Sequence, residues 1–451
     1  MGGVPPEIVE FFRAFPGQSL LIRGLPGTGK TILAFEILGE ICEKRNGLYI
    51  STRVEPSRLY MTSPWIRDFI PERNIIDATQ DKLKRSLGLG VGGRSGEGLV
   101  FDYGTVLEFF RAVYEDAEDM ENPVIIFDSW DGVLSHLNIE REAPALTQEI
   151  CDFCREMEIH TIFVAERDAP AVIDYIVDGV ITLRCPWMSD IRAISEASER
   201  LRVREIEINK LRGLPISRPK YLFTLHNGRF KYFPPFIEDL TARAEPIPDP
   251  DEEHISTGIR DLDDLIGGFR VGSFNLWEIG RGVNKRYDQM LLQMCMNMIG
   301  RGGGVIGIPP MGSSIMKVSI KNLLIHQPET DDVNVEISSL LTVVRRIHDK
   351  TGKPAFCFIS IDTLENVFGE GNTIKFLENI AKISKETQLI SSILYLMRSE
   401  AKISKLITQA ADTYMVLMDI DGALTIYGVR PATGLYGITS DVGGIHLTPI
   451  V

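Results

Sequence analysis

The chain has 451 residues, 44% of them hydrophobic and 24% charged, a composition that excludes wholesale disorder and whose length predicts two or three domains. Its formal net charge of -14 gives no long-range attraction to phosphate backbones or anionic lipid. Nucleic acid and membrane surfaces are therefore not expected partners.

Short β-branched runs alternate with helix-period segments in the first half of the chain. The predicted strands are Ser19–Arg23, Gly47–Ser51, Val124–Asp128, Thr161–Ala165 and Gly179–Leu183. This alternation is typical of the α/β class and predicts a mostly parallel sheet covered by helices on both faces.

A segment rich in proline and acidic residues, Ala244–Glu253 (AEPIPDPDEE), separates this half from the next and predicts an interdomain linker. The predicted domains are residues 1–243 and 254–451. The same rhythm returns after the linker, in the predicted strands Phe274–Ile279, Gly304–Ile308, Ala355–Ile361 and Ile393–Leu396. Any two α/β domains share such a rhythm, but the recurring order and spacing favour two diverged copies.

A phosphate-binding loop is predicted at the end of the first strand, where the chain matches GxxxxGK[ST] in full. Glycines allow a tight turn that points backbone N–H groups at a phosphate. Lys30 would neutralise phosphate oxygens, and Thr31 would hold Mg²⁺. The residues expected to bind ATP are Gly24, Pro26, Gly27, Thr28, Gly29, Lys30 and Thr31.

Carboxylates follow the other predicted strands. Asp128 ends the strand Val124–Asp128 and is predicted to orient the water shell of Mg²⁺, as a second metal-site residue. Hydrolysis also needs a group that orients or deprotonates the attacking water. Glu55 is the candidate nearest to the loop along the chain and Glu166 is another, although either side chain could instead cap a helix or be solvated.

Two cations two residues apart, Lys210 and Arg212, lie in the extended segment Leu201–Gly213 and could reach a phosphate from one face of a strand. A charged edge strand that discourages aggregation would look the same. The glycine-rich segment Gly88–Gly98, with Arg94 inside it, could contact DNA or serve as a solvated connector.

The second half lacks an intact phosphate loop. The corresponding segment is Gly280–Tyr287, in which Lys285 replaces the third loop glycine, Arg286 the lysine and Tyr287 the magnesium-binding hydroxyl. Bulky side chains would crowd the backbone, and a phenol is a poor ligand for a hard cation. We therefore expect this half to serve in structure or partner binding.

The six cysteines are scattered along the chain and do not indicate a disulfide framework. Cys151 and Cys154 form a CxxC in a helical stretch with no second pair nearby, which favours packing over a zinc site. The sequence contains no run of about 18 uninterrupted apolar residues, so a membrane span is not predicted. The expected location is the cytoplasm.

The segment Ile255–Gly268 (ISTGIRDLDDLIGG), followed by Gly272-Ser273-Phe274, closely resembles the opening of RecA/KaiC-type ATPase domains. With GLPGTGKT, IIFDS and the NKLRG of Asn209–Gly213, the resemblance spans nearly the whole chain. It implies a tandem pair of RecA-like domains.

In KaiC and its relatives, the lysine and arginine of a KxRG strand reach the γ-phosphate held by the neighbouring subunit. The resemblance therefore implies that Lys210 and Arg212 act in trans within a homo-oligomer, of which a hexameric ring is one form. In the second half only Arg430 matches, because Gly428 stands in place of the lysine.

The paired glutamates of the KaiC type are replaced here by Arg53-Val54, so fast hydrolysis is not expected. This STRV run, the very early phosphate loop and the FDSW that ends at Trp130 resemble the archaeal gas-vesicle regulatory protein D group. That resemblance implies a cytoplasmic ATP-dependent regulator of another protein, such as a transcription activator.

The leading hypothesis is a regulatory protein that binds ATP and Mg²⁺, hydrolyses ATP slowly, assembles with itself and controls a protein partner. A nucleotide-sensing module without turnover is the alternative that the missing glutamates motivate. A recombinase-like DNA-repair ATPase is a second alternative, which the net charge of -14 argues against.

Overall fold

The computed structural model of the chain divides, by its internal contacts, into two compact units. The first comprises the described residues of 3–186 and 202–232 together with Val451, and the second those of 233–450 with Trp187 and Leu201. The structure describes residues 3–42, 46–52, 56–77, 120, 122–137, 142–187, 201–240, 245–280, 282–283, 285–310, 312–317, 320–387, 390–396 and 403–451.

The first unit alternates strands and helices from its start. Its helices are α1 Pro6–Ala14, α2 Lys30–Ile41, α3 Pro56–Thr62, α4 Trp130–Leu137, α5 Ala143–Glu156 and α6 Ile173–Ile176. The strands of its sheet are β1 Ser19–Gly24, β2 Gly47–Ser51, β3 Ile75–Asp77, β4 Val124–Asp128, β5 His160–Ala165, β6 Gly179–Arg184, β7 Glu205–Leu211, β8 Lys220–Thr224 and β9 Lys231–Phe233.

The second unit begins with a small antiparallel pair, β10 His254–Ile255 and β11 Phe269–Arg270. Its helices are α7 Arg260–Ile266, α8 Asp288–Gly300, α9 Val333–Thr351, α10 Ile361–Phe368, α11 Glu370–Thr387 and α12 Ile403–Ala410. The strands of its large sheet are β12 Phe274–Ile279, β13 Gly304–Ile308, β14 Leu323–Ile325, β15 Ala355–Ser360, β16 Ile390–Leu396, β17 Thr413–Ile420, β18 Ala423–Arg430, β19 Leu435–Asp441 and β20 Gly444–Pro449.

Among the described residues each unit contains one nine-stranded sheet, and the strand order is the same in both. The orders are β3-β2-β4-β5-β1-β6-β7-β8-β9 and β14-β13-β15-β16-β12-β17-β18-β19-β20. In the first sheet the strands from β3 to β6 in that order are parallel, whereas β7 pairs antiparallel with both β6 and β8. The mixed α/β class with a mostly parallel sheet is therefore confirmed.

The side chains of β1 show why helices cover both faces of this sheet. Leu20 and Ile22 pack into one buried cluster, with Phe11 of α1 and Leu33 of α2, whereas Leu21 packs into the cluster on the opposite face. All six residues of β1 are buried, as expected for a central parallel strand. The first strand is thereby fixed, and with it the loop that follows.

The predicted strands agree with the observed ones within one residue, with one exception. The strand predicted at Ile393–Leu396 begins at Ile390. The strand predicted to end at Ile361 ends at Ser360, because the Ser360 hydroxyl accepts a hydrogen bond from the N–H of Thr363 (3.4 Å) and caps α10. Asp362 consequently lies in the first turn of α10 and not at the end of a strand.

No helix in the described part of the chain combines the length and the apolar character that crossing a membrane would require.

Candidate functional site

The loop between β1 and α2 is a turn that depends on glycine. Gly27 and Gly29 have φ angles of 79° and 99°, which other residues rarely adopt. A Cβ atom at Gly29 would lie 2.8 Å from a methyl carbon of Leu225, whereas one at Gly27 would meet no heavy atom within 4 Å. The loop is thus packed on one side and open at its exposed tip, Leu25–Gly27.

Lys30 folds back over this loop. Its Nζ donates hydrogen bonds to the carbonyl oxygens of Gly24 (2.9 Å) and Leu25 (3.0 Å), and Lys30 is 7% exposed. The hydroxyl of Thr28 donates to the same Leu25 carbonyl at 2.9 Å. The side chains of Lys30 and Thr28 therefore hold the loop in a closed turn.

Thr31, Tyr49 and Asp128 meet at the carboxyl ends of the strands. The Thr31 hydroxyl donates to Oδ2 of Asp128 at 2.6 Å, and the Tyr49 hydroxyl donates to the same oxygen at 2.8 Å. Burial raises the pKa of Asp128; the hydrogen bonds from Thr31 and Tyr49 and the charge of Lys30 oppose this rise. Burial, followed by the Asp128 charge, raises the pKa of Tyr49 as well.

The backbone around Asp128 is fixed by Thr52, which follows the neighbouring strand β2. The Thr52 N–H donates to the carbonyl of Asp128 (3.0 Å), and the Thr52 hydroxyl accepts from the N–H of Ser129 (3.1 Å). Glu166 follows β5, and its negative charge contributes to the raised pKa of Asp128. Glu55 lies outside the described residues, so its role stays a prediction.

The residues at this edge fit a magnesium-bound nucleotide. A hydroxyl and a carboxylate within hydrogen-bond distance, Thr31 and Asp128, are hard oxygen donors of the kind that Mg²⁺ prefers. The open side at Gly27 leaves the loop backbone accessible, and α2 begins at Lys30, so its N-terminus points toward the loop.

Two contacts of the site were not predicted from the sequence. Tyr49 is one, because its position inside an apolar strand gave no sign of a polar role. Arg204 is the other: its Nη1 donates to the loop carbonyls of Gly27 (3.3 Å) and Thr28 (3.4 Å). No local motif could have identified Arg204, since it lies far from the loop in the sequence.

Lys210 and Arg212 lie near the amino-terminal ends of the parallel strands, whereas the loop follows the carboxyl end of β1. Lys210 donates to the carbonyls of Asp174 (2.9 Å) and Val177 (2.6 Å), and Arg212 donates to Asp178 at 2.8 Å. The Asp178 carboxylate in turn accepts from the hydroxyl of Ser19, the first residue of β1. The ends of a six-residue strand are about 17 Å apart. The structure therefore does not bring these cations to the loop of their own subunit.

The corresponding loop of the second unit is occupied by its own arginine. Arg286 donates to the carbonyls of Val283 (3.1 Å), Gly422 (3.0 Å) and Gly282, and it forms an ion pair with Asp419 on β17. These contacts commit four of the five guanidinium N–H groups.

Other residues of the second unit also differ from those expected at a nucleotide site. Burial raises the pKa of Tyr287, and the charges of Asp288 and Asp362 add to this rise. A Cβ atom at Gly428 would lie 2.3 Å from the carbonyl oxygen of Pro431, so a lysine would not fit there without backbone movement. Arg430 donates to the carbonyls of Thr408 and Ala411.

The CxxC pair is buried in the core of the first unit. Burial raises the pKa of Cys151 to about 12 and that of Cys154 to about 11, which keeps both thiols protonated. Within the described residues, no group of three or more histidine, cysteine or acidic side chains could hold a metal ion. The glycine-rich segment Gly88–Gly98 lies outside the described residues.

Comparison with known proteins finds similarity to the GvpD gas vesicle proteins. Residues 8–201 match the family model described as the GvpD gas vesicle protein, P-loop domain. Protein GvpD2 of Halobacterium salinarum is 26% identical over 99% of this chain and 96% of its own length. Protein GvpD1 of the same organism is 28% identical over 69% of this chain and 57% of its own length.

The circadian clock oscillator protein KaiC of Parathermosynechococcus lividus is 26% identical over 56% of this chain and 44% of its own length. The similarity to KaiC fits RecA-like domains. The predicted resemblance is confirmed: residues 8–201 match the GvpD P-loop domain, and the chain is similar to archaeal GvpD proteins and to KaiC.

The buried Asp128 makes stability without nucleotide depend on pH. An acid whose pKa is raised by folding stabilises the protein below its unfolded pKa of about 4, and this contribution is lost as the pH rises through the folded pKa. We expect Asp128→Asn to gain melting temperature relative to the parent as the pH rises from 4 to 8. An unchanged difference across this range would contradict this expectation; the exposed Asp168→Asn is the control.

Removal of Arg286 is expected to destabilise the second unit. Arg286→Ala removes the ion pair with Asp419 and the side-chain donor to three carbonyls, which we expect to cost about 1–3 kcal/mol of unfolding free energy. Urea denaturation measures the change. Arg270→Ala is a matched control, because the Arg270 side chain is 69% exposed and its loss should cost less than about 0.5 kcal/mol. Equal effects of the two substitutions would contradict the assigned role of Arg286.

Proposed function

We propose that the first unit binds ATP with Mg²⁺ and hydrolyses it slowly, and that the bound nucleotide controls self-assembly and a protein partner in gas vesicle regulation. The observation that carries this proposal is the 2.6 Å hydrogen bond between the Thr31 hydroxyl and Asp128, beside a glycine-dependent loop closed by Lys30. This constellation is suited to a metal-bound triphosphate and has no evident role in a purely structural domain.

The side chains of the site have separate roles in this proposal. Bound Mg²⁺ would supply positive charge at the phosphates. Lys30 leaves its carbonyl acceptors for the phosphate oxygens, Thr31 provides a hydroxyl ligand, and Asp128 orients the metal's water shell. Glu55 is the proposed group that orients the attacking water, and the absence of paired glutamates is the reason that turnover is slow.

The position of Lys210 and Arg212 supports an assembly in which one subunit completes the site of the next. Within a subunit these cations lie about 17 Å of strand away from the loop. A γ-phosphate bound to Lys30 could attract these cations only from an adjacent copy. ADP has no γ-phosphate and would attract them less strongly. ATP would therefore favour the assembled state, with a ring as its simplest closed form.

The second unit has a supporting role in this proposal. The identical strand order of the two sheets supports a tandem pair of RecA-like domains. The internal contacts divide the units after Tyr232, before the predicted linker at 244–253. Because Arg286 occupies the loop of the second unit, that unit would serve in assembly or partner binding instead of turnover. The GvpD similarity makes a transcription regulator the proposed partner.

A nucleotide sensor without turnover is the second candidate function, favoured by Arg53-Val54 where KaiC-type proteins have paired glutamates. Long incubation with Mg-ATP, followed by chromatography of the bound nucleotide, distinguishes the two functions. We expect ADP to accumulate. Intact ATP after complete occupancy would favour the sensor.

Loss of the loop lysine is expected to weaken nucleotide binding. Lys30→Ala should weaken Mg-ATP binding at least about tenfold, because it removes the cation that neutralises the phosphates. Isothermal titration with Mg-ATP measures the affinity. Lys231→Ala, an exposed lysine of the same unit, controls for the lost charge. Parent-like affinity in Lys30→Ala would contradict the proposed site.

Phosphate release should depend on protein concentration. If assembly completes the site, activity per subunit is expected to rise with concentration, without DNA, until assembly saturates. The proposal also predicts that Arg212→Ala removes this rise but leaves Mg-ATP binding at low protein concentration nearly unchanged. Constant activity per subunit while sedimentation shows increasing assembly would contradict a shared site.

A further inference from the structure

A buried carboxylate, Asp178, holds Arg212 within its own subunit. The Asp178 side chain is 4% exposed and lies between α6 and β6. Its Oδ1 accepts a hydrogen bond from Nη1 of Arg212 at 2.8 Å. Its Oδ2 accepts from the hydroxyl (2.8 Å) and the N–H (3.3 Å) of Ser19. A residue with no part in the motifs of the site is thus the direct partner of the proposed trans arginine.

Asp178 has a second cationic partner. Nη2 of Arg155, on α5, lies 3.4 Å and 3.3 Å from the two carboxylate oxygens, and its Nη1 donates to Asp152 at 2.8 Å. The Arg212 side chain is 55% exposed and the Arg155 side chain 43% exposed. Two half-exposed guanidinium groups therefore share one buried carboxylate, and either could leave while the other remains.

The presence of two arginines at Asp178 determines the free-energy cost of releasing Arg212. Removing the only cation from a buried carboxylate leaves an uncompensated charge and is strongly unfavourable. Here Arg155 and the two donors of Ser19 stay in place, so Asp178 remains paired. The same turn also binds Lys210 through the carbonyls of Asp174 and Val177. Both cations of the proposed trans pair are thus held by one segment, residues 174–178.

We propose that Asp178 retains Arg212 in the free subunit, and that Arg155 neutralises Asp178 when Arg212 moves to a nucleotide bound by the adjacent subunit. This inference rests on the proposed trans role of Arg212. Arg155 and Asp178 are positioning residues that do not contact the nucleotide. They set how readily Arg212 moves from the Asp178 carboxylate to the nucleotide phosphate. The strength of the Asp178–Arg212 pair then sets the affinity of ATP-dependent assembly.

Opposite effects are expected from the two positioning residues. In Arg155→Met, Asp178 has Arg212 as its remaining cation and retains it more tightly, so assembly driven by Mg²⁺ and β,γ-imido-ATP should weaken about tenfold. In Asp178→Asn the neutral amide releases Arg212, and the same assembly should strengthen about tenfold. Sedimentation velocity of the full chain measures both, and association in ADP should be the same in parent and variants.

Three further proteins make the result specific. Arg13→Met removes an exposed arginine of the same unit and should assemble like the parent. Arg212→Ala should weaken analogue-driven assembly, and Arg155→Met should have no further effect in that background. If Asp178→Asn does not fold, Arg155→Met compared with the parent in the analogue and in ADP still decides the question, because Asp178 keeps Arg212 and the donors of Ser19 in that variant. The double variant leaves Asp178 with Ser19 alone, so its fold is checked by circular dichroism before its assembly is compared.

Each contrary outcome has a separate meaning. Parent-like assembly of Arg155→Met, while Arg212→Ala assembles poorly, would overturn the role of Arg155 and leave the trans role of Arg212 standing. Equal weakening by Arg155→Met with and without Arg212 would overturn it as well, because the effect would then be structural. Parent-like assembly of Arg212→Ala would overturn both this inference and the trans arrangement on which it rests.

Discussion

The length of one buried strand separates the phosphate loop from the cations proposed to act in trans. β1 carries the phosphate loop at its carboxyl end and contacts Asp178, the partner of Arg212, at its first residue, Ser19. Because six parallel-strand residues span about 17 Å and every one is buried, neither end can approach the other without disrupting the core. A site that needs both ends requires two subunits, so in the proposed function the nucleotide state controls assembly.

The two units carry different loops on the same sheet topology. Their nine strands follow the same order, so the carboxyl end of the fifth strand in each row carries the loop. In the first unit Lys30 donates to the backbone carbonyls of Gly24 and Leu25, which a phosphate can replace. In the second unit Arg286 has the carboxylate of Asp419 as a partner, and an anion would have to compete with it.

The strands and the phosphate loop could be predicted because they depend on contiguous residues. β-Branched runs and glycines at fixed positions determine them locally. The motifs predicted Thr31 and Asp128 at one metal site. The hydrogen bond from Tyr49 to Asp128 depends on strand order, which brings together residues 79 positions apart. The Arg286–Asp419 and Asp178–Arg212 pairs are long-range and follow no spacing rule, which is why no sequence pattern indicated them.

A subunit-mixing assay tests the shared site most directly. Lys30→Ala lacks a working loop and Arg212→Ala lacks the trans arginine, so each protein alone should release phosphate at background rate. In an equal mixture, about a quarter of randomly formed interfaces pair an intact loop with an intact arginine. The account predicts phosphate release near that fraction of the parent rate. A mixture that forms mixed oligomers and stays as inactive as its components would contradict it.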